Sequence, residues 1–195
     1  MTFTTPNLLT FARIAAIPLL VYLLTLPQPL PSLAAAGVFF LATVTDFLDG
    51  YIARSYGSGS NLGKILDPLA DKLLVAAALI MLAAIPREPR VPAWIVVVMV
   101  SREIMVTGLR AVAAGRGRIL AAEELGKYKM ALQSVAIHGL LIHYVWLHVD
   151  FFAAGMFVLW IAMIVTVWSG IDYFCRQWDV IAPRSRPSLA RRAAM

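Results

Sequence analysis

Four aspartates in one stretch hold most of the chemical potential of this sequence. Asp46 and Asp49 stand three residues apart, Asp67 and Asp71 four apart, and a turn rich in Gly and Ser lies between the pairs. Spacings of three and four place each pair on one face of a helix. Both pairs adjoin long apolar runs, so a hairpin of two helices would gather all four carboxylates beside a polar turn. Such a cluster repels itself unless cations neutralise it, and an all-oxygen donor set suits Mg²⁺ or Mn²⁺. Each part has an ordinary reading too. Asp67-Pro68 is a common helix N-cap followed by a first-turn proline, and Asp46 and Asp49 could mark where an apolar span meets water. Together they are harder to dismiss, because an aspartate costs up to about 2.5–3.5 kcal/mol within an inserted helix. Four in two helix-spaced pairs point to a divalent-metal site at a membrane surface.

Two close cations would clamp a diphosphate, polarise its phosphorus centres and stabilise the leaving phosphate. Gly50, Ala53 and Gly63 are small enough for a substrate to approach the backbone closely. Arg54 could pair with a phosphate oxygen, although a single Arg after an apolar span also serves as a surface anchor. Asp71, deepest in sequence from the turn, is the candidate to accept a proton from an attacking hydroxyl. The residues alone thus reach phosphoryl transfer at a membrane surface.

Elements of a particular kind must hold these groups. Of 195 residues, 61% are hydrophobic and only 14% charged, too apolar for a soluble domain of this length. The expected fold is all-α, with six transmembrane helices. They run from Pro6 to about Leu26, from near Leu33 to Asp49, from near Asp67 to Ile85, from Trp94 to about Val112, from about Tyr128 to Trp146, and from Phe151 to about Phe174. Pro27, Pro29 and Pro31 break the first from the second, Ser55–Asn61 is a flexible turn, and His148–Asp150 is a tight turn. Met1–Pro6 lacks the marks of a cleaved leader, so the first apolar run is expected to be retained. Residues 1–176 form one membrane domain and 177–195 a basic tail.

The net charge of +6 is read as Lys and Arg facing anionic lipid and cytoplasm, with no nucleic-acid partner. With the N-terminus inside, the inner segments hold Arg54, Lys64, Lys72, Arg116, Arg118, Lys127, Lys129 and the tail, and the outer ones little beyond Arg87 and Arg90. Both termini and the aspartate hairpin are therefore expected on the cytoplasmic side of the cell membrane. The single cysteine, Cys175, excludes an intrachain disulfide and argues against a thiolate metal site; His138, His143 and His148, five apart, read as packing or interfacial residues.

The pattern Asp46-x-x-Asp49-Gly50-x-x-Ala53-Arg54, eight residues, Gly63-x-x-x-Asp67-x-x-x-Asp71 resembles the complete motif of the CDP-alcohol phosphatidyltransferase family, with no departure from it. The resemblance implies metal binding by Asp46, Asp49, Asp67 and Asp71, with Asp71 also the base. It implies CDP-diacylglycerol contacts at Gly50, Ala53, Arg54 and Gly63; Asn7 and Ser60 are weaker additions. Six transmembrane helices and a homodimer are implied as well. Pro6-Asn7-Leu8-Leu9-Thr10 with Arg13, Arg102-Glu103-Ile104 with Leu109-Arg110, and Leu125-Gly126-Lys127-Tyr128-Lys129 are similar to the branch of that family whose acceptor is glycerol 3-phosphate. The implied reaction is attack of that acceptor's hydroxyl on the β-phosphorus of CDP-diacylglycerol, releasing CMP. An anionic acceptor needs cations, and Arg102, Arg110 and Lys127 are the expected phosphate ligands, with Lys129 in the same region. Arg102 and Arg110, eight apart, share roughly one helical face within or near a span. Other acceptors in the same family remain open: inositol phosphate, serine or phosphatidylglycerol. From another class, a cation transporter would spread its carboxylates through the membrane depth, whereas these gather beside one turn.

Overall fold

The computed structural model describes residues 5–26, 28–56, 61–117 and 124–178. Among them six helices follow in order: α1 (Thr5–Thr25), α2 (Pro29–Tyr56), α3 (Asn61–Ala84), α4 (Ala93–Gly115), α5 (Glu124–Ile142) and α6 (Phe151–Arg176). A small antiparallel hairpin, β1 (Val145–Trp146) and β2 (Val149–Asp150), links α5 to α6.

Several boundaries differ from expectation. α2 begins at Pro29, because proline is tolerated in a first turn where no intrahelical N–H bond is needed. α3 begins at Asn61, six residues before Asp67, so Pro68 lies inside the helix and the N-cap reading of Asp67-Pro68 does not hold. α5 stops at Ile142 instead of Trp146, where His143 turns into the left-handed region at φ 65°. The turn at Leu147 and His148 also has positive φ at both positions, 50° and 65°, the backbone of a two-residue hairpin. Residues 57–60, 118–123 and most of the basic tail lie outside the described residues.

Of the six expected spans, α6 alone among the described residues is a full-length helix long and apolar enough to cross a bilayer by composition. Thr10–Thr25 and Pro29–Thr45 are shorter apolar stretches.

α5 and α6 make the most extensive contact, and α1 packs on both α2 and α3. Small residues bring α5 and α6 together: a Cβ on Gly155 would lie 2.7 Å from the Leu140 backbone nitrogen, and one on Gly139 would lie 3.0 Å from the Gly155 Cα. Around this crossing Leu20, Phe39, Leu74, Ile95, Ile137 and Leu159 form the main core. A second cluster, Val106, Leu109, Ala113 and Tyr173, seals α4 against α6. Outward-facing positions are apolar as well, among them Leu41, Val97, Ile104, Phe157 and Trp168.

At the end where α1 meets α2, α3 meets α4, and α5 meets α6, a polar cluster ties the connections together. Arg87 donates from Nη1 to Ser32 Oγ at 2.6 Å and stands 5.7 Å from the centre of the Tyr144 ring. His143 packs edge-on against Phe152, with ring centres 5.2 Å apart. Burial, reinforced by the Arg87 charge, holds the His143 pKa below its ordinary value; a backbone hydrogen bond with Glu88 and the Asp150 charge offset this in part.

Candidate active site

The helix register sets the depth of the carboxylates. Asp46 and Asp49 lie ten and seven residues before the end of α2, and Asp67 and Asp71 lie six and ten residues after the start of α3. At a rise of about 1.5 Å per residue, Asp49 and Asp67 share one level and Asp46 and Asp71 a second, about 15 Å from the connection. The two helices pack together and α1 lies against both, so the four positions come to one region of the bundle. They lie well inside the helices and not at their ends, because both helices continue past the apolar segment toward the connection. The side chains of Asp46, Asp49 and Asp67 lie outside the described residues, as do those of Asn7, Gly50, Ala53, Arg54 and Gly63, and Ser60 lies outside them altogether. Asp71 is described and half-buried. An acidic, all-oxygen set of this kind fits Mg²⁺ or Mn²⁺, whose preference is for oxygen donors, and offers nothing to a thiophilic ion.

One residue beyond Asp71, Lys72 reaches toward α4 and donates to Thr107 Oγ1; that hydroxyl in turn donates to the Glu103 carbonyl at 2.7 Å. Glu103 is the hub of a charged cluster. Its Oε1 accepts from Arg102 Nη1 at 3.0 Å and from Lys129 Nζ on α5. Arg102 continues to α6, donating from Nη2 to Ser169 Oγ at 2.9 Å, and Ser169 donates to the Thr166 carbonyl. Gly170 makes room for this arm, since a Cβ there would lie 3.1 Å from Arg102 Cγ. Arg102 Nε, buried toward α6, has no hydrogen-bond partner among the described residues. Two turns further along α4, Arg110 donates from Nε to Tyr173 Oη at 3.2 Å, its guanidinium 5.3 Å from the ring centre.

Of the expected acceptor ligands, Arg102 and Arg110 thus both turn toward α6, and Lys127 is exposed. Two residues on, Lys129 is buried and enters the cluster, with its side chain only 3% exposed. Glu103 and Lys72 were noted in the sequence without a role in the site, and Tyr173 was not noted at all. A glutamate and a lysine inside apolar helices are the signals that could have found the first two. Elsewhere, an apolar groove of about 210 Å³ runs between α1 and α2, lined by Ala12, Arg13, Ala16, Val38, Leu41, Ala42 and Thr45, and ends one residue from Asp46.

Comparison with known proteins gives the class: the chain belongs to the CDP-alcohol phosphatidyltransferase family, whose profile matches residues 3–168. Within that family it is 42% identical, over 92% of its length and 97% of the relative's, to the CDP-diacylglycerol–glycerol-3-phosphate 3-phosphatidyltransferase of Bacillus subtilis (strain 168). The enzyme of the same name from Haemophilus influenzae is 37% identical, over 89% and 92% of the two chains. A cardiolipin synthase (CMP-forming) from Oryza sativa subsp. japonica is 34% identical over 91% of this chain but only 58% of its own.

Proposed function

We infer that this protein transfers the phosphatidyl group of CDP-diacylglycerol to glycerol 3-phosphate, giving phosphatidylglycerophosphate and CMP. The observation that carries this is the identity to enzymes of that name over nearly the full length of both chains, joined to an aspartate motif without gaps. In the reaction the acceptor's hydroxyl oxygen bonds to the β-phosphorus, the bond from that phosphorus to the bridging oxygen breaks, and CMP departs with the bond's electron pair. Asp71 takes the hydroxyl proton. Asp46, Asp49, Asp67 and Asp71 would hold two Mg²⁺ or Mn²⁺ ions, which, when bound, neutralise the diphosphate and the departing CMP. The motif supports Gly50, Ala53, Arg54 and Gly63 as contacts of the CDP group, with Asn7 and Ser60 as weaker additions. The α1–α2 groove, apolar and ending beside Asp46, suits an acyl chain of the donor.

We further propose six membrane spans with both termini and the site on the cytoplasmic side, in a homodimer. The apolar outward faces of α2, α4 and α6 support burial in lipid, and the distribution of Lys and Arg supports the orientation. The cardiolipin synthase relative makes phosphatidylglycerol the acceptor to exclude. Purified protein given labelled CDP-diacylglycerol and, separately, glycerol 3-phosphate, phosphatidylglycerol, serine and inositol phosphate tests the assignment. Lipid product and CMP should form with glycerol 3-phosphate. Product with another acceptor only would overturn it.

A further inference from the structure

The Glu103 carboxylate on α4 is bonded by two cations, and a third reaches its backbone carbonyl through a hydroxyl. Lys129 enters from α5, Arg102 precedes it on α4, and Lys72 comes from α3 through Thr107, whose hydroxyl is bonded to the Glu103 carbonyl. Two cations on one carboxylate leave a unit of positive charge in surplus where the Lys129 side chain is 3% exposed and that of Arg102 11%, with Lys72 nearby at the more exposed Thr107. A surplus held in so dry a place is costly unless an anion joins it. The site lies at the depth of Asp71, since Lys72 is its neighbour in sequence. We propose that Glu103 is a positioning residue for acceptor recognition: it holds the ammonium of Lys129 and the guanidinium of Arg102 near Lys72, as a cationic seat for a dianionic phosphomonoester. The inference rests on the acceptor being glycerol 3-phosphate and adds to that reading how its phosphate is told from a phosphodiester or a neutral head group.

Glu103 acts here by geometry more than by charge. Lys129 has a flexible stem and would be an isolated buried ammonium without its partner. It would then swing outward or give up its proton, and the seat would lose a cation even though a negative charge had been removed. Removing the carboxylate should thus weaken phosphate binding, the reverse of what simple charge counting over a rigid site predicts. Aspartate at this position keeps the charge on an arm one methylene shorter and should recover part of the effect.

The experiment uses the full-length protein in detergent micelles with CDP-diacylglycerol. Steady-state KM for each substrate and kcat are measured for wild type, Glu103→Gln, Glu103→Asp, Lys129→Met and the Glu103→Gln/Lys129→Met double variant, with thermal unfolding as a check on folding. Glu103→Gln is expected to raise KM for glycerol 3-phosphate at least about tenfold, with KM for CDP-diacylglycerol within about twofold of wild type. Inorganic phosphate, as a competitive inhibitor, should weaken in parallel. Glu103→Asp should fall between, and it carries the test if the glutamine variant does not fold. The double variant should be no worse than Lys129→Met, since neighbours acting as a unit are non-additive. An unchanged KM for glycerol 3-phosphate in a folded Glu103→Gln, an equal rise for both substrates, or penalties that multiply in the double variant would each overturn the positioning role. Failure of the wild-type protein to use glycerol 3-phosphate at all would instead overturn the acceptor assignment on which it stands.

Discussion

Asp71 and Lys72 are adjacent in sequence, and the proposed reaction gives them to opposite halves of its chemistry. On a helix they diverge by about 100°, so one can face the carboxylate level of α2 while the other crosses to α4. Asp71→Asn removes a proton acceptor and leaves most of the oxygen set, so turnover should be abolished while CDP-diacylglycerol binding, measured by equilibrium binding to purified protein, is largely retained. Near-normal turnover would take the base role away from Asp71. Arg110 has its planar fork anchored on Tyr173, which leaves its terminal nitrogens able to bond two phosphate oxygens. Losing a hydrogen bond to a charged group costs about 1.5–3 kcal/mol. Arg110→Ala should then raise KM for glycerol 3-phosphate at least about tenfold, since about 1.4 kcal/mol is a factor of ten. Its KM for CDP-diacylglycerol should move much less. Equal change for both would make Arg110 a structural tie to α6.

The close crossing of α5 and α6 is where a helix pair sets the whole bundle. A methyl group on Gly155 would meet backbone atoms, which cannot rotate away, so the helices must separate. Gly155→Ala should lose about 1–3 kcal/mol, the usual cost of overpacking. Gly37→Ala on α2 meets nothing within 4 Å and should be neutral or gain up to about 1 kcal/mol. Thermal unfolding in one detergent compares the two, and equal midpoints would remove the crossing from the account. The connection beyond α5 adds a pH dependence. His143 is buried beside Arg87 and its neutral form is favoured in the fold, so the unfolded chain binds the extra proton. Stability therefore rises with pH up through the ordinary value of 6.5 and is lost as pH falls below it toward the lowered folded value. His143→Asn, a residue that tolerates the left-handed backbone here, should narrow the difference in unfolding midpoint between pH 7.5 and pH 5.5. A gap that stays the same would place that dependence on other groups.

Over the whole molecule, α3 lies between two kinds of electrostatics. On the proposed reading, cations neutralise the aspartates of α2 and α3 and an anion meets the Lys72–Arg102–Lys129 side, so the two substrates are met by opposite charge. Activity should accordingly vanish in excess chelator and return with Mg²⁺ or Mn²⁺, and Asp46→Asn, Asp49→Asn and Asp67→Asn should each remove most of it. Full activity in chelator would end the metal reading. Thermal unfolding checks the same point independently of turnover: adding either ion should raise the midpoint of the wild-type protein and raise it less in Asp46→Asn, because ligands that bind only the folded state stabilise it.

The aspartate motif was legible from sequence because its spacing is local. Spacings of three and four put each pair on one helix face, and similar distances from a short connection put the two pairs at one level when the helices run antiparallel. The six helices and their order were legible for a similar reason, since apolar runs and prolines act within a few residues. Other features depend on partners far along the chain. Lys127 and Lys129 look alike in sequence, and only the packing of α5 against α3 and α4 decides that Lys129 turns inward to Glu103 while Lys127 stays outside. Arg102 and Arg110 are read alike as acceptor ligands until Ser169, Gly170 and Tyr173 of α6 give each a different anchor. The Leu147-His148 turn lacks the Asn-Gly or Asp-Gly signature of a tight hairpin, and the left-handed backbone there accompanies the pairing of β1 with β2. Sequence by itself determined the family motif and the helices that carry it. Tertiary structure decided which cations gather at Glu103 and which anchor on α6, because a side chain's direction on a helix has meaning only once the neighbouring helices are in place.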